Sequence, residues 1–350
     1  MKISEIIVGW YKKNRRDLPW RATSDPYRIW LSEIILQQTR VDQGLGYYHR
    51  FVEQFPDVHA LAAADERQVM KLWQGLGYYS RARNLLKAAR QIVEDHDGIF
   101  PRTTQGLRSL RGVGEYTSAA VASIAFNVPA AVVDGNVARV IARLYAVDEP
   151  VNTTAGAKVI AALAEQLLDP NDPGTHNQAM MEFGALQCVP SNPDCEGCML
   201  KAHCTAYQRG LTAAYPVKRR GGKVKKRFFT YLVIDHGGQT YLQQRTANDI
   251  WRHLYEFPLM EHESMPEPEE LGGLTAAFLG LDTGEFTITR LPEPVKHQLT
   301  HRQIIARFLH LQIRPSAWKA PEHWKRVDFG EITDYPVPRI IDLNVKGAGD

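Results

Sequence analysis

The chain has 350 residues, 44% of them hydrophobic and 23% charged, with a formal net charge of +3. That length points to two domains and that balance to a folded chain, which excludes wholesale disorder, and no apolar stretch is long enough to span a bilayer. So weak a positive charge permits a nucleic-acid partner without arguing for one.

The N-terminal stretch MKISEIIVGWYKKNRRDLPW has a short apolar run followed by a Lys/Arg cluster. It lacks the h-region and cleavage site of a secretory signal, so the expectation is a cytoplasmic protein. Up to about Tyr207, apolar residues recur at three- and four-residue spacing between short Gly/Pro/Asp breaks, which predicts helices over Pro26 to Gln38, Val69 to Trp73, Arg81 to Val93, Thr117 to Phe126, Val137 to Tyr145 and Ala155 to Leu168.

The first of these, DPYRIWLSEIILQQT, opens with Asp25 and Pro26 as N-cap and N1. Helical spacing puts Ile29, Trp30, Glu33, Leu36 and Gln37 on one face. A carboxylate on an apolar stripe is costly unless paired or neutral, and desolvation raises its pKa, which suits a general acid.

Further on, LRGVGEYTSAA places Gly112 and Gly114 in a bare turn before Tyr116. Glycines there let the N–H groups at the next helix's N-terminus approach a phosphate, where the helix dipole favours an anion. Such a contact positions a protein on DNA without reading sequence. In NVPAAVVDGNVARVIARL, Asp134 stands directly before Gly135 and a new helix. Its plainest role is an N-cap, and a capping carboxylate beside a bound phosphodiester can also stabilise a developing sugar cation.

All four cysteines fall in CVPSNPDCEGCMLKAHC, spaced C-x6-C-x2-C-x5-C at Cys188, Cys195, Cys198 and Cys204. Disulfides are disfavoured in the cytosol, so these read as metal ligands, for tetrahedral zinc or a four-iron, four-sulfur cluster. The spacing is unlike the paired C-x2-C knuckles of zinc ribbons and favours iron and sulfur. Lys201, His203 and Arg209 lie in or beside this loop, where they can offset thiolate charge or meet phosphates.

From Lys218 to Arg227 seven of ten residues are basic, which reads as a solvated linker or one lying along a polyanion. Beyond it FFTYLVI, DHGG, QTYLQQ and IIARFLHLQI are strand and turn signals, so a second, α+β domain begins near Phe228. The expected organisation is a helical domain over 1–213 with a cysteine loop at 188–204, a basic linker over 214–227 and an α+β domain over 228–345.

In order, the hairpin, the Asp after a Gly/Pro-containing loop and the four-cysteine segment resemble the endonuclease III superfamily of DNA base-excision glycosylases, over about the first two hundred residues. The resemblance implies an all-α helix-hairpin-helix glycosylase core with one [4Fe-4S] cluster on the four cysteines. Its bifunctional members carry a lysine where Tyr116 stands, and that amine forms a Schiff base leading to strand cleavage. Tyrosine forms no imine, so the implied enzyme is monofunctional. The stretch SEIILQQTR resembles the adenine-specific, MutY-type branch and maps that branch's catalytic glutamate onto Glu33.

The implied chemistry uses two carboxylates, as in glycoside hydrolysis. Glu33 protonates the leaving adenine, Asp134 stabilises the oxocarbenium ion, and Tyr116 and Asn136 orient them. By resemblance, a flipped adenine enters a pocket of Arg16, Leu18, Trp20, Arg21 and Gln178. Gln38, Thr39 and Tyr78 would wedge into the duplex and probe the opposite base. Arg111 replaces the proline usual in the hairpin, and Ala138 stands where some relatives carry a lysine, which removes another Schiff-base donor.

The domain after the linker resembles the MutT-like, Nudix-fold domain with which MutY-type enzymes recognise 8-oxoguanine. EPEELGG echoes the end of a Nudix box, but Met265 and Pro266 stand where its Arg-Glu pair belongs and prolines break its helix. Leu299, Thr300 and His301 in HQLTHRQ match a recognition segment that is commonly Phe-Ser-His, losing the aromatic wedge. The implied partner is double-stranded DNA with adenine opposite 8-oxoguanine or guanine, bound by a monomer, with no membrane, at a bacterial nucleoid. The alternatives are a pyrimidine-damage glycosylase with lyase activity, disfavoured by Tyr116; a noncatalytic metal-cluster DNA-binding protein; and a nucleotide pyrophosphatase, disfavoured by the broken Nudix box.

Overall fold

A computed structural model describes residues 2–219, 224–299, 301–314 and 318–347. The helices of the first part are α1 (Ile3–Asn14), α2 (Pro26–Leu36), α3 (Val41–Gln54), α4 (Val58–Ala62), α5 (Glu66–Leu72), α6 (Ser80–His96), α7 (Thr104–Ser109), α8 (Glu115–Phe126), α9 (Gly135–Tyr145), α10 (Thr154–Leu167), α11 (Pro173–Leu186) and α12 (Thr205–Gln208). The second part runs β1 (Lys225–Asp235), β2 (Gln239–Gln244), β3 (Tyr255–Glu256), β4 (Leu259–His262), α13 (Leu271–Leu279), β5 (Phe286–Arg290), β6 (Val295–Gln298), β7 (Arg302–Ile313), β8 (Trp324–Asp328) and α14 (Arg339–Gly347). Among the described residues no helix is long and apolar enough to cross a membrane.

The chain divides into two compact units, residues 1–64 with 83–221 and residues 65–82 with 222–350. This differs from the contiguous helical domain expected from sequence, because 65–82 is bonded into the second unit. Gln74 Nε2 donates to Asp342 Oδ1 at 3.0 Å, His253 Nδ1 lies 2.6 Å from Glu66 Oε1, and the Arg67 guanidinium sits 4.5 Å from the Tyr335 ring centroid.

In the first unit the apolar faces of α1, α9, α10 and α11 meet in a core around Ile7, Trp10, Ile141, Ile160 and Phe183. Helix α11 is held close to its neighbours at both ends by glycine. A Cβ on Gly174 would lie 2.8 Å from the Ser123 carbonyl in α8, and one on Gly184 would lie 2.7 Å from the Asn136 Cβ in α9. The small residues of α8 are buried from Thr117 to Ser123, which permits such packing.

In the second unit β1 runs parallel to β7 and antiparallel to β4, and β5 and β6 both pair with β7. A three-stranded sheet has the order β3-β2-β8. Successive side chains of a strand point to opposite faces. Accordingly Phe229, Tyr231 and Val233 join a core with Ile340 and Ile341 of α14, while Leu232 and Ile234 join another with Leu271 and Leu279 of α13. Both faces of β1 are covered, so it reads as a continuous apolar run. The helix after the prolines starts only at Leu271.

Candidate active site

Helix α2 starts where the sequence places it: the Asp25 side chain accepts from the Tyr27 N–H at 3.0 Å and Pro26 occupies the first turn. Nearly its whole circumference is buried, including Ser32 and Glu33, so Glu33 lies inside the protein rather than at a rim. Tyr116 is the second residue of α8, and its hydroxyl donates to Glu33 Oε2 at 2.6 Å. Asp134 caps α9, with Oδ1 accepting from the Val137 N–H at 2.7 Å and Oδ2 from Asn136 Nδ2 at 2.8 Å. Asn136 Oδ1 in turn accepts from Arg139 Nη2 at 3.0 Å.

These residues open onto one cavity. Its lining brings together Glu33, Tyr116, Asp134 and Asn136 with Arg16, Leu18, Trp20, Arg21, Gln178 and Thr39. Trp20 and Leu18 are buried, and the Trp20 ring meets Tyr48 edge-on at 5.0 Å. The Gln178 carbonyl accepts from the Tyr11 hydroxyl at 2.7 Å.

The sequence reading missed Glu182. This α11 residue is 1% exposed and accepts bonds from both pocket arginines: Arg16 Nη2 at 2.6 Å and Arg21 Nη2 at 2.7 Å on Oε2, and Arg16 Nε at 3.0 Å and Arg21 Nη1 at 2.8 Å on Oε1. Its signal was available, a charge in the apolar run AMMEFG, the same anomaly that drew attention to Glu33.

The two buried carboxyls are driven in opposite directions. Burial pushes Glu33 up to about 7, reinforced by Asp134 and opposed by the Tyr116 hydrogen bond and by Arg21. Glu182 is also desolvated, but the bonds from Arg21 and Arg16 outweigh burial and hold it down near 2. Burial raises the Asp134 carboxyl from its ordinary value, against the pull of the Val137 and Asn136 donors.

The hairpin has the form its glycines predict. Gly112 has φ +75° and a Cβ there would stand 2.6 Å from the Asn84 Cβ, so only glycine fits. Gly114 is the α8 N-cap, with open space around its Cβ position. Gln38 is exposed with φ 57° at the end of α2. Tyr78 is 45% exposed with φ 48°, and it belongs to the second unit. There Leu299 packs at the edge of the α14-side core and His301 is exposed, while Thr300 lies outside the described residues.

Cys188, Cys195, Cys198 and Cys204 line a single pocket with Val140, Leu144, Phe183 and Leu200. Burial pushes the Cys198 thiol up to about 11, and the other three cysteines add to this, so Cys198 resists forming a thiolate without a compensating cation. Arg143 donates to Cys188 Sγ at 3.4 Å, to the Val189 carbonyl at 2.7 Å and to the Pro190 carbonyl at 3.0 Å, tying the loop to α9. Among the described residues no three His, Cys, Asp or Glu side chains converge as a site for a single metal ion. The soft donor set in its shared apolar pocket is of the chemical kind that iron-sulfur groups take.

Comparison with known proteins extends this geometry. Residues 31–170 match the HhH-GPD superfamily of base excision DNA repair proteins, and residues 229–344 match the NUDIX domain. An adenine DNA glycosylase of Mus musculus is 45% identical over 222 residues, covering 60% of this chain and 43% of that protein. This chain therefore spans less than half the length of that relative. An adenine DNA glycosylase of Buchnera aphidicola is 33% identical over 261 residues, covering 74% of this chain and 75% of that one. The solved structure of a thermostable thymine-DNA glycosylase superposes with a TM-score of 0.55 at 32% identity, covering 59% of this chain and 95% of that chain. With its helical core, hairpin and second sheet-bearing unit, the chain belongs to the adenine DNA glycosylase family of the HhH-GPD superfamily.

Proposed function

We propose that this chain is a monofunctional DNA glycosylase that hydrolyses the N-glycosidic bond of adenine paired with 8-oxoguanine or guanine. The observation that carries the reading is Glu33: a buried carboxyl pushed up to about 7, bonded by Tyr116 and facing the same cavity as Asp134. A general acid works best when its pKa lies near the operating pH. Protonated Glu33 donates to N7 of an extruded adenine, which makes the base a neutral leaving group. Asp134, ionised and fixed by its cap bonds and by Asn136, faces the sugar as positive charge develops there, and its orientation needs no rearrangement during the reaction. Water then completes hydrolysis. Tyr116 has no amine, so no Schiff base forms there and the backbone stays intact.

Cys188, Cys195, Cys198 and Cys204 would hold a [4Fe-4S] cluster, which supplies a rigid, charge-compensated anchor for the loop that Arg143 ties to α9. In the second unit Met265 and Pro266 stand where a Nudix box carries its Arg-Glu pair, and helix α13 starts only after them at Leu271, so its NUDIX fold is assigned to recognition of the base opposite adenine rather than to nucleotide hydrolysis. We place the monomeric chain in the bacterial cytoplasm, at the nucleoid when acting.

The test is incubation with duplexes carrying A opposite 8-oxoguanine, A opposite G and, given the thymine-DNA glycosylase likeness, T opposite G, each analysed with and without alkali. The expected result is strand breakage only after alkali, only in the adenine duplexes, and lost in Glu33→Gln. Breakage without alkali or excision confined to thymine would overturn the proposal.

A further inference from the structure

Where β6 and β7 face each other, the Leu299 N–H donates to the Arg302 carbonyl at 2.8 Å, and the His301 backbone carbonyl accepts from the Lys225 N–H at 3.3 Å. One carboxylate on the loop between β2 and β3 bonds to this end of β7. Asp249 Oδ1 accepts from Arg302 Nη1 at 2.6 Å, while Oδ2 accepts from Arg227 Nη1 at 2.6 Å and from Arg245 Nη2 at 3.0 Å. Arg227 is clamped in addition by Glu261, at 2.6 and 2.7 Å, and Arg245 by Glu256, at 2.8 and 2.9 Å.

Three guanidinium groups therefore meet three carboxylates, so this cluster presents no excess positive charge to a phosphate. Arg302, the residue directly after His301, is turned onto Asp249. The loop carrying Asp249 holds Trp251 at φ 58° and His253 at φ 69°, a region large side chains rarely adopt unless the surroundings demand it. The Trp251 ring is packed 6.3 Å from Phe229 of β1 and 6.0 Å from His297 of β6, so the loop is braced against β1 and β6.

We infer that Asp249 is a positioning residue for base recognition: through Arg302 it fixes the start of β7 beside His301, so that the side chains of Leu299 and His301 meet the base opposite adenine in one orientation. The inference rests on the recognition role proposed for Leu299 and His301. It predicts that discrimination between 8-oxoguanine and guanine depends on a residue that touches neither base.

The experiment uses the full chain as wild type, Asp249→Asn, Arg302→Gln, the double variant and His301→Ala. Single-turnover excision rates and duplex affinities are measured for A opposite 8-oxoguanine and A opposite G. Asp249→Asn and Arg302→Gln should each lower the preference for 8-oxoguanine at least tenfold, with the loss falling chiefly on the 8-oxoguanine duplex, and the double variant should be no worse than either single one. A simple loss of folding would lower both duplexes together. Should Asp249→Asn fail to fold, Arg302→Gln carries the test, because it leaves Asp249 bonded to Arg227 and Arg245. A preference lost in His301→Ala but kept in both other variants would overturn the positioning role alone, as would effects of the two substitutions that multiply. A preference kept in all variants, or absent from the wild type, would overturn the recognition role and this inference with it.

Discussion

Replacing Glu33 by Gln should make the protein more stable at alkaline pH while abolishing its chemistry. Burial lifts the Glu33 carboxyl from an ordinary 4.5 to about 7. The folded chain thus holds this proton more tightly than the unfolded chain does. Its contribution to stability is fully present below the unfolded value and is lost as the pH rises through the folded one. At about 1.4 kcal/mol per pKa unit, ionising Glu33 in place costs about 3 kcal/mol. Gln keeps the shape and an acceptor for the Tyr116 hydroxyl but has nothing to ionise. Glu33→Gln should therefore match the wild type near pH 4 and exceed it by about 3 kcal/mol at pH 8.5. Amide exchange of the slowest α2 and α8 protons reads the opening free energy of this unit alone, without assuming that both units unfold together. A difference between variant and wild type that is the same at both pH values would refute the reasoning, because the carboxyl would then not be held neutral by burial.

The same pair sets the pH profile. Tyr116→Phe removes a short bond that favours ionised Glu33, worth about 1.5–3 kcal/mol for a charged acceptor, so the alkaline limb of single-turnover excision should move up by about 1–2 pH units. Glu182→Ala strips Arg16 and Arg21 of their shared partner; about 3 kcal/mol of stability should be lost in urea unfolding at neutral pH, together with adenine excision. Since Glu182 is held near 2, that contribution is present above the ordinary carboxylate range and fades as the pH falls towards 2. Gly184→Ala forces a methyl to within 2.7 Å of Asn136; it should cost about 1–3 kcal/mol and lower the excision rate, read by calorimetry and single-turnover kinetics.

Much of the site was legible because its chemistry is local. Glu33 contradicts its own helix's apolar pattern, Asp134 sits where a cap belongs, and four clustered cysteines have few uses. Glu182 shows where such reading stops. It breaks pattern as plainly as Glu33, yet its partners lie 161 and 166 residues away, and only the fold decides whether a buried carboxyl is paired and ionised or unpaired and neutral. The segment 65–82 makes the same point at the scale of the fold. An amphipathic stretch announces that it will cover something apolar, but not which surface, and here its bonds go to residues more than 180 positions later.

The pairing of Arg16 and Arg21 with Glu182 also decides what the cavity attracts. In the proposed mechanism, which takes Glu33 protonated and Asp134 ionised, two cations face two anions and the walls are isoelectric, so a phosphate gains nothing by entering and an uncharged base loses nothing. Passing the proton from Glu33 to the base leaves the walls with one negative charge at the moment the substrate acquires one positive charge. The cavity is thus indifferent to its guest on arrival and complementary to it only as the bond breaks, which is the condition under which binding energy accelerates a reaction instead of trapping its reactant.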